Sequence, residues 1–369
     1  MPRLSKHTVS HHDPGRFPRI RQLTIESEMT DLDSLRQLSA RIGRNLSLVQ
    51  AGGGNTSIKD GNTLWVKASG KWLVHAAEED MFLPAPLDEI LHGVDENREY
   101  KAEYKNSSGT VLRPSVETTM HAVLPHRVVI HVHSVTTIAW AVHPNAPEML
   151  RPRLNGLRWE WIPYIHPGLP LARRIQESLA SQPDVLILGN HGLVVGGQDC
   201  ESAEGLLAEV ERRMYRVPRG APEMDLAALA GIAGGAGWHA APDAEVHKLA
   251  TDDLSRQRAA RGTMYPDHCV YLGPAAATLE NGETISDALA RYEARFQRKP
   301  IVLLAAGKGV LVSNAFTRSA RELLICLARV TERLDASAPV HYLEDWQVAK
   351  LMNWDAEKYR IGLARQQEG

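Results

Sequence analysis

At 369 residues the chain exceeds the usual size of one domain, so two compact units are expected. Hydrophobic residues make up 43% and charged residues 23%, an ordinary soluble balance, and a formal net charge of −2 gives no general pull towards nucleic acid or a membrane surface. No run approaches the ~20 uninterrupted apolar residues that span a bilayer. The three cysteines (Cys200, Cys269 and Cys326) are far apart and lack CxxC spacing, which fits reduced thiols in the cytoplasm better than a disulfide framework.

In chain order, MPRLSKHTVSHHDPGRFPRIR is basic and has no apolar core, so residues 1–28 are expected as a flexible arm rather than a secretory leader. Leu32, Leu35, Leu38, Ile42 and Leu46 then recur at helical spacing. AGGGNTSIKDGNTLWVKASGKWLV reads as strands joined by tight glycine turns, and RPSVETTMHAVL as a short helix starting at Pro114 and Ser115. RVVIHVHS is a strand with a helix after it, LARRIQESLASQ is amphipathic, VLILGNHGLVVGG is two strands around a turn, and ESAEGLLAEVERRMYRV is a closing helix. The Ala-, Gly- and Pro-rich stretch that follows divides the chain into a unit at 29–217, a linker at 218–242 and a second unit at 243–369. In the second unit a helix near 243–260 precedes a strand HCVYL, a helix ISDALARYEARF, the hairpin PIVLLAAGKGVLVS and further helices. Both halves mix helix and strand, so the class is α/β or α+β.

Three segments of the first half converge on metal chemistry. His131 and His133 are two apart in a strand and project from one face. His191 sits on the turn of NHG. Three histidines with an open coordination position are a recognised catalytic zinc set. Taken singly, each motif is more often half-exposed histidines in a strand or a turn than a metal site. Glu117 adds a carboxylate near a helix start, one turn before His121; alone it reads as a helix-dipole partner, and His121 as a satisfied, partly buried histidine.

The order GGGNTS, VKASG, PSVETTMH, IHVHS, NHG resembles the class II aldolase/adducin family, from about residue 33 to 216. The Glu117 to His131 interval and the second half, including PDH at 266–268, resemble the aldolase part of long rhamnulose-phosphate aldolase/lactaldehyde dehydrogenase fusions, without the dehydrogenase. The resemblance implies a three-layer α/β/α domain followed by a smaller α/β one. It implies one Zn2+ per chain on His131, His133 and His191, with Glu117 as acid–base, and retro-aldol cleavage of a ketose phosphate to dihydroxyacetone phosphate and an aldehyde. It also implies a homo-oligomer, a tetramer by family habit. Phosphate in such enzymes is held by loop amides and hydroxyls, here Gly54, Asn55, Thr56, Ser69, Gly70 and Ser115, to which Lys71 would add a charge. One departure stands out: Val116 replaces a second serine, which leaves room for a carboxylate or other polar group instead of phosphate.

Tyr164 matches a tyrosine-bearing segment of the family near the pocket. No GxGxxG opens a helix after a strand, so no nicotinamide site is expected. Decarboxylase, 4-epimerase and dehydratase reactions share this scaffold, and an adducin-like interaction module is the non-catalytic rival. Residues 218–369 show no catalytic constellation and are expected to act as a scaffold or assembly unit.

Overall fold

The computed structural model describes residues 20–22, 30–106, 109–234 and 237–368. Of the expected arm at 1–28, only β1 (Ile20–Gln22) falls among them; the remainder lies outside the described residues. The other strands, in order, are β2 (Asn55–Asp60), β3 (Thr63–Lys67), β4 (Phe82–Pro86), β5 (Glu103–Lys105), β6 (Val111–Leu112), β7 (Val128–Val132), β8 (Trp159–Ile162), β9 (Val185–Leu188), β10 (Gly192–Gly197), β11 (Trp238–Ala240), β12 (Ala277–Leu279), β13 (Val302–Ala305) and β14 (Gly309–Ser313).

Seven strands form the main sheet in the order β4-β3-β2-β7-β10-β9-β8. Its pairs are antiparallel except β8 with β9 at one edge. Central β7 shows why the sheet has two covered faces. Val128, Ile130 and Val132 point to one side, into a core with Leu35 and Leu38 of the helix Thr30–Gly43 and Leu207 and Val210 of the helix Cys200–Met214. Val129 points the other way, to Met120 and to Leu171 and Ile175 of the helix Leu169–Ser178. The strand is apolar at nearly every position because both faces are buried. This is the helix–sheet–helix layering expected for the first half.

A mixed α/β region follows. β11-β14-β13-β12 make its sheet, with β12 parallel to β13 and the others antiparallel. The segment 218–242, expected as a linker, instead holds the helix Leu226–Ala233 and β11. Leu229 and Ala233 supply the reason, since both are buried against Leu303 and Leu311 of that sheet. HCVYL, expected as a strand, lies in the helix Pro266–Leu272. Pro266 presets φ at the first helical position and Gly273, at φ 95°, stops the helix, and these end signals outweigh the β-favouring Val270 and Tyr271. The hairpin at 300–313 and the helices Ile285–Phe296 and Arg318–Thr331 match the expectation. The C-terminal stretch is helical in two pieces, Asp345–Asn353 and Asp355–Glu368, parted at Trp354, whose backbone is extended.

The two regions share one core. Val135, Ile138 and Val142, from the helix that follows β7 and beyond its end, pack with Leu249, Met264, Leu323 and Leu327 of the second region. A polar clamp ties them as well. Asn190, in the β9–β10 turn at φ 51°, donates through Nδ2 to Met264 O at 2.8 Å and His341 O at 2.9 Å, and its Oδ1 meets His341 Nδ1 at 2.9 Å. No helix of the described residues is long and apolar enough to cross a membrane.

Replacing Asn190 by Ala should lower Tm, because the two carbonyls lose their side-chain donor and a left-handed backbone receives a Cβ without a local hydrogen bond. The expected cost is about 1–3 kcal/mol or more. Thermal unfolding followed by circular dichroism checks it; an unchanged Tm would show that the clamp carries no stability.

Candidate active site

Side-chain alternation along β7 sends His131 to the face opposite Ile130, and the chain beyond Val132 brings His133 to the same side. His191 enters from the β9–β10 turn. The three ring centroids stand 5.0, 4.9 and 5.2 Å apart, a nearly equilateral triangle, and their candidate ligand nitrogens all lie within 4.8 Å of one another. All three are buried. Each δ nitrogen with a partner is used outward: His131 Nδ1 meets Leu193 O at 3.0 Å, and His133 Nδ1 meets Asp267 Oδ2 at 2.7 Å. That pairing assigns the Nε2 lone pairs of both rings to the centre of the triangle.

Glu117 closes the triangle. Its Oε2 is 3.3 Å from His131 Nε2 and its Oε1 3.5 Å from His191 Nε2. Burial alone would raise its pKa, but the imidazoles of His131, His191 and His133 and the Asn55 amide hold it down at about 2, so the carboxylate is ionised. Burial also pushes His131 down and His191 to about 3, so both are neutral imidazoles at neutral pH. Glu117 Oε1 and His131 Nε2 have no hydrogen-bond partner among the described residues although both are buried. Such orphans cost about 1–3 kcal/mol each when left unmet. Neutral imidazole nitrogens and one carboxylate around a common point fit a divalent cation, which would satisfy both.

Asn55 organises this cluster from β2, directly opposite His131 in the ladder. Its Nδ2 donates to Glu117 Oε2 at 2.9 Å and to Ser115 Oγ at 3.2 Å, while its Oδ1 meets His121 Nε2. His121 is wholly buried and is also met at Nδ1 by Ser57 Oγ at 2.7 Å, so it is a fully satisfied polar core residue. Tyr164 is half-buried against Leu343 and Leu351, not in the cavity.

The cavity beside the histidines is lined by Gly54, Asn55, Ser69, Gly70, Ser115, Glu117, His133 and His191, all anticipated. Gly54 stands at φ 60°, and a Cβ there would come within 3.0 Å of His131 O, so only glycine fits this loop beside the strand. Lys71, expected as the cationic handle, is taken up by Glu79 Oε2 at 2.7 Å. The lysine at the cavity is Lys67, at the end of β3, where strand geometry turns it inward. It donates to Gly52 O at 2.9 Å and Lys71 O at 2.7 Å and so ties the two glycine loops together. Ser115 is also not where expected. The helix begins at Thr118, because the Ala68–Pro114 bridge keeps the preceding chain extended. Ser115 sits in the turn before it, and its Oγ accepts from Glu117 N at 3.2 Å.

The second region contributes what the sequence did not signal. Asp267, Glu357 and Arg360 line the same cavity. Arg360 pairs with Asp267 Oδ1 and with Glu357, Nε to Oε2 at 2.9 Å. Residues 218–369, expected as a scaffold or assembly unit without a catalytic constellation, thus supply three charged side chains to the cavity lining. Contacts made across 134 positions leave no spacing signature, and PDH at 266–268 was the only local hint. With the helix Asp355–Glu368 in place, the cavity has about 30 Å³ of free space, room for about one water. A second cavity of about 390 Å³ adjoins it, lined by Tyr100, Arg113, Trp354 and Tyr359, and the two share Ser69, Ser115, Val116 and Ala356.

Residues 35–215 match the family model described as Class II Aldolase and Adducin N-terminal domain, and the chain carries a class II aldolase domain there. Similar proteins include an uncharacterized oxidoreductase, YuxG, of Bacillus subtilis, 29% identical over 188 residues, 46% of this chain and 27% of that protein. The chain thus spans about a quarter of that relative's length. An L-fuculose phosphate aldolase of Methanococcus maripaludis is 25% identical over 163 residues, covering 42% of this chain and 78% of the aldolase. Among solved structures, the N-terminal class II aldolase domain of a conserved Thermoplasma acidophilum protein is 25% identical, covers 52% of this chain and 95% of that one, and has a TM-score of 0.44.

Burial first, then the nearby Arg360 charge, brings the Lys67 pKa down to about 7, against the pull of Glu117 and Asp267. Lys67 is therefore charged below pH about 7 and neutral above it. Affinity for sulfate, whose own charge is constant over this range, should fall at least about tenfold as pH rises through that value, because Lys67 loses its charge while Glu357 in the same cavity, raised by burial to about 7, gains one. The part that Lys67→Met removes belongs to Lys67. Calorimetric titration on the two sides of the transition checks this. A wild-type affinity independent of pH and equal to that of Lys67→Met would remove Lys67 from the anion site.

Proposed function

We propose that the class II aldolase domain is a zinc-dependent lyase that cleaves a ketose phosphate to dihydroxyacetone phosphate and an aldehyde, with one Zn2+ per chain held by His131, His133 and His191. The observation that carries this reading is the buried triangle of imidazoles closed by Glu117, with His131 Nε2 and Glu117 Oε1 both lacking partners. When bound, the ion supplies Lewis-acid polarisation of substrate oxygens and charge stabilisation as electrons shift.

The chain's own residues do the rest. In the cleavage direction the substrate hydroxyl gives its proton to the ionised Glu117 as its oxygen becomes the aldehyde carbonyl, the carbon–carbon bond breaks with its electron pair staying on the donor fragment, and Glu117 delivers that proton to the donor carbon; in the reverse direction Glu117 removes it. Asn55 holds the carboxylate through its 2.9 Å hydrogen bond to Oε2, so Oε1 is the oxygen that would face the ion at rest and turn to the substrate in the reaction. Ser69 and Ser115 stand at the neck shared with the larger cavity and, with Gly54 and Gly70 deeper in the smaller one, would hold the phosphate, with Lys67 rather than Lys71 as the cation. Val116, at the same neck, offers no hydroxyl, which supports substrates with a carboxylate as the second reading, the decarboxylase-type chemistry of the scaffold. The helix Asp355–Glu368 lines both cavities through Ala356, so it borders the path by which a substrate would reach the histidines. The complete ligand set with Glu117 favours catalysis over a non-catalytic interaction module. On the same reading the protein works in the cytoplasm as a homo-oligomer, a tetramer by resemblance, without nucleic-acid or membrane partners.

Two outcomes follow. Chelation should abolish activity, and His131→Ala, His133→Ala or His191→Ala should each remove tight, stoichiometric zinc, measured by atomic emission on untagged protein. Glu117→Gln should retain zinc while turnover falls by about 10²–10⁴. A Glu117→Gln protein that exchanges the donor-carbon proton at the wild-type rate would take the acid–base role away from Glu117. Product analysis on ketose phosphates and keto-sugar acids separates aldol cleavage from decarboxylation.

A further inference from the structure

The three imidazoles are not supported alike. His131 gives its Nδ1–H to a backbone carbonyl, Leu193 O. His133 gives its Nδ1–H to a carboxylate, Asp267 Oδ2, at 2.7 Å. That carboxylate comes from the second α/β region, 134 positions away, and it is 2% exposed. Its other oxygen is not idle: Arg360, on the C-terminal helix, binds Oδ1. The Arg360 guanidinium also has Glu357 beside it, Nε to Oε2 at 2.9 Å, and lies 5.3 Å from the centroid of the Tyr271 ring. Space has been left for the pair, since a Cβ on Gly53 would stand 2.9 Å from both Asp267 Oδ2 and His133 Nδ1.

An imidazole whose Nδ1–H is donated to a fixed carboxylate has one tautomer, one ring orientation and a more electron-rich Nε2. We propose that Asp267 is a positioning residue of the metal centre, orienting His133 so that its Nε2 faces the ion, with Arg360 holding Asp267 in place. This rests on the metal reading given above. The second α/β region is then a working part of the centre, and the helix that covers the cavity also braces one of its ligands. Any shift of that helix which withdraws Arg360 loosens the support of His133.

The test uses the full chain, with zinc affinity measured by competition with a chelator and the site geometry read from the visible absorption of Co2+-loaded protein. Asp267→Asn and Asp267→Ala should weaken zinc binding about 10- to 100-fold, Asp267→Glu should recover part of the loss, and Arg360→Met should give a smaller loss. The Co2+ bands of Asp267→Asn should differ from wild type in protein whose circular dichroism shows it folded; this nearly isosteric variant carries the test where the Ala variant does not fold. Zinc affinity within about twofold of wild type and unchanged Co2+ bands in Asp267→Asn would overturn the inference. If His133→Ala in the same series loses zinc, only the role of Asp267 falls. If the wild-type chain binds no zinc, the metal reading falls with it.

Discussion

Everything at the centre of this molecule depends on burying imidazole nitrogens and a carboxylate together, largely out of reach of bulk water. A buried lone pair without a donor is costly, and the main sheet places His131 Nε2 and Glu117 Oε1 in that position together. The surrounding groups remove the ambiguity that would let these atoms turn elsewhere. Leu193 O and Asp267 take up the δ nitrogens, and Asn55 takes one Glu117 oxygen. What remains free converges on one point, which is the arrangement a cation would satisfy.

That convergence sets the fold's tolerances. β7 is flanked by β2 and β10, and its register with both decides whether Asn55 stands opposite His131 and whether His191 arrives at the triangle. A one-residue slip would carry His131 into the apolar layer and an aliphatic side chain into the site. The apolar side chains that prevent the slip, Val128, Ile130 and Val132, are the same that fill the core below. Packing and chemistry are thus specified by alternate residues of one strand. The second region extends the logic: its core is continuous with the helix after β7, and Asn190 clamps the turn that delivers His191 to the carbonyls of Met264 and His341.

How much of this could be read beforehand follows from the range of each interaction. The histidine pair in IHVHS and the NHG turn were legible because strand period and turn position act within a few residues. The helices and strands of the first half are legible from apolar periodicity, whereas their layering follows only from the family resemblance. Lys67 was missed in favour of Lys71 because both flank the ASG turn; the strand end that turns Lys67 inward, and Glu79 waiting for Lys71, decide between them. HCVYL, with its β-favouring Val270 and Tyr271, suggests a strand in isolation, but Pro266 and Gly273 at the ends of Pro266–Leu272 carry the stronger signal, for a helix. Asp267, Glu357 and Arg360 could not be placed at all from spacing, because only tertiary folding brings them to His133. Their charges were visible in the sequence, but their address was not.

The central claim is that His131, His133 and His191 hold one divalent ion beside Glu117. Anomalous scattering from crystals of the full chain, recorded on the two sides of the zinc absorption edge, tests it most directly. The account predicts a single edge-dependent peak per chain at the centre of the triangle, about 2.0–2.1 Å from an imidazole nitrogen of each histidine. A zinc peak bound elsewhere, or a triangle that stays empty in crystals soaked with zinc, would contradict it.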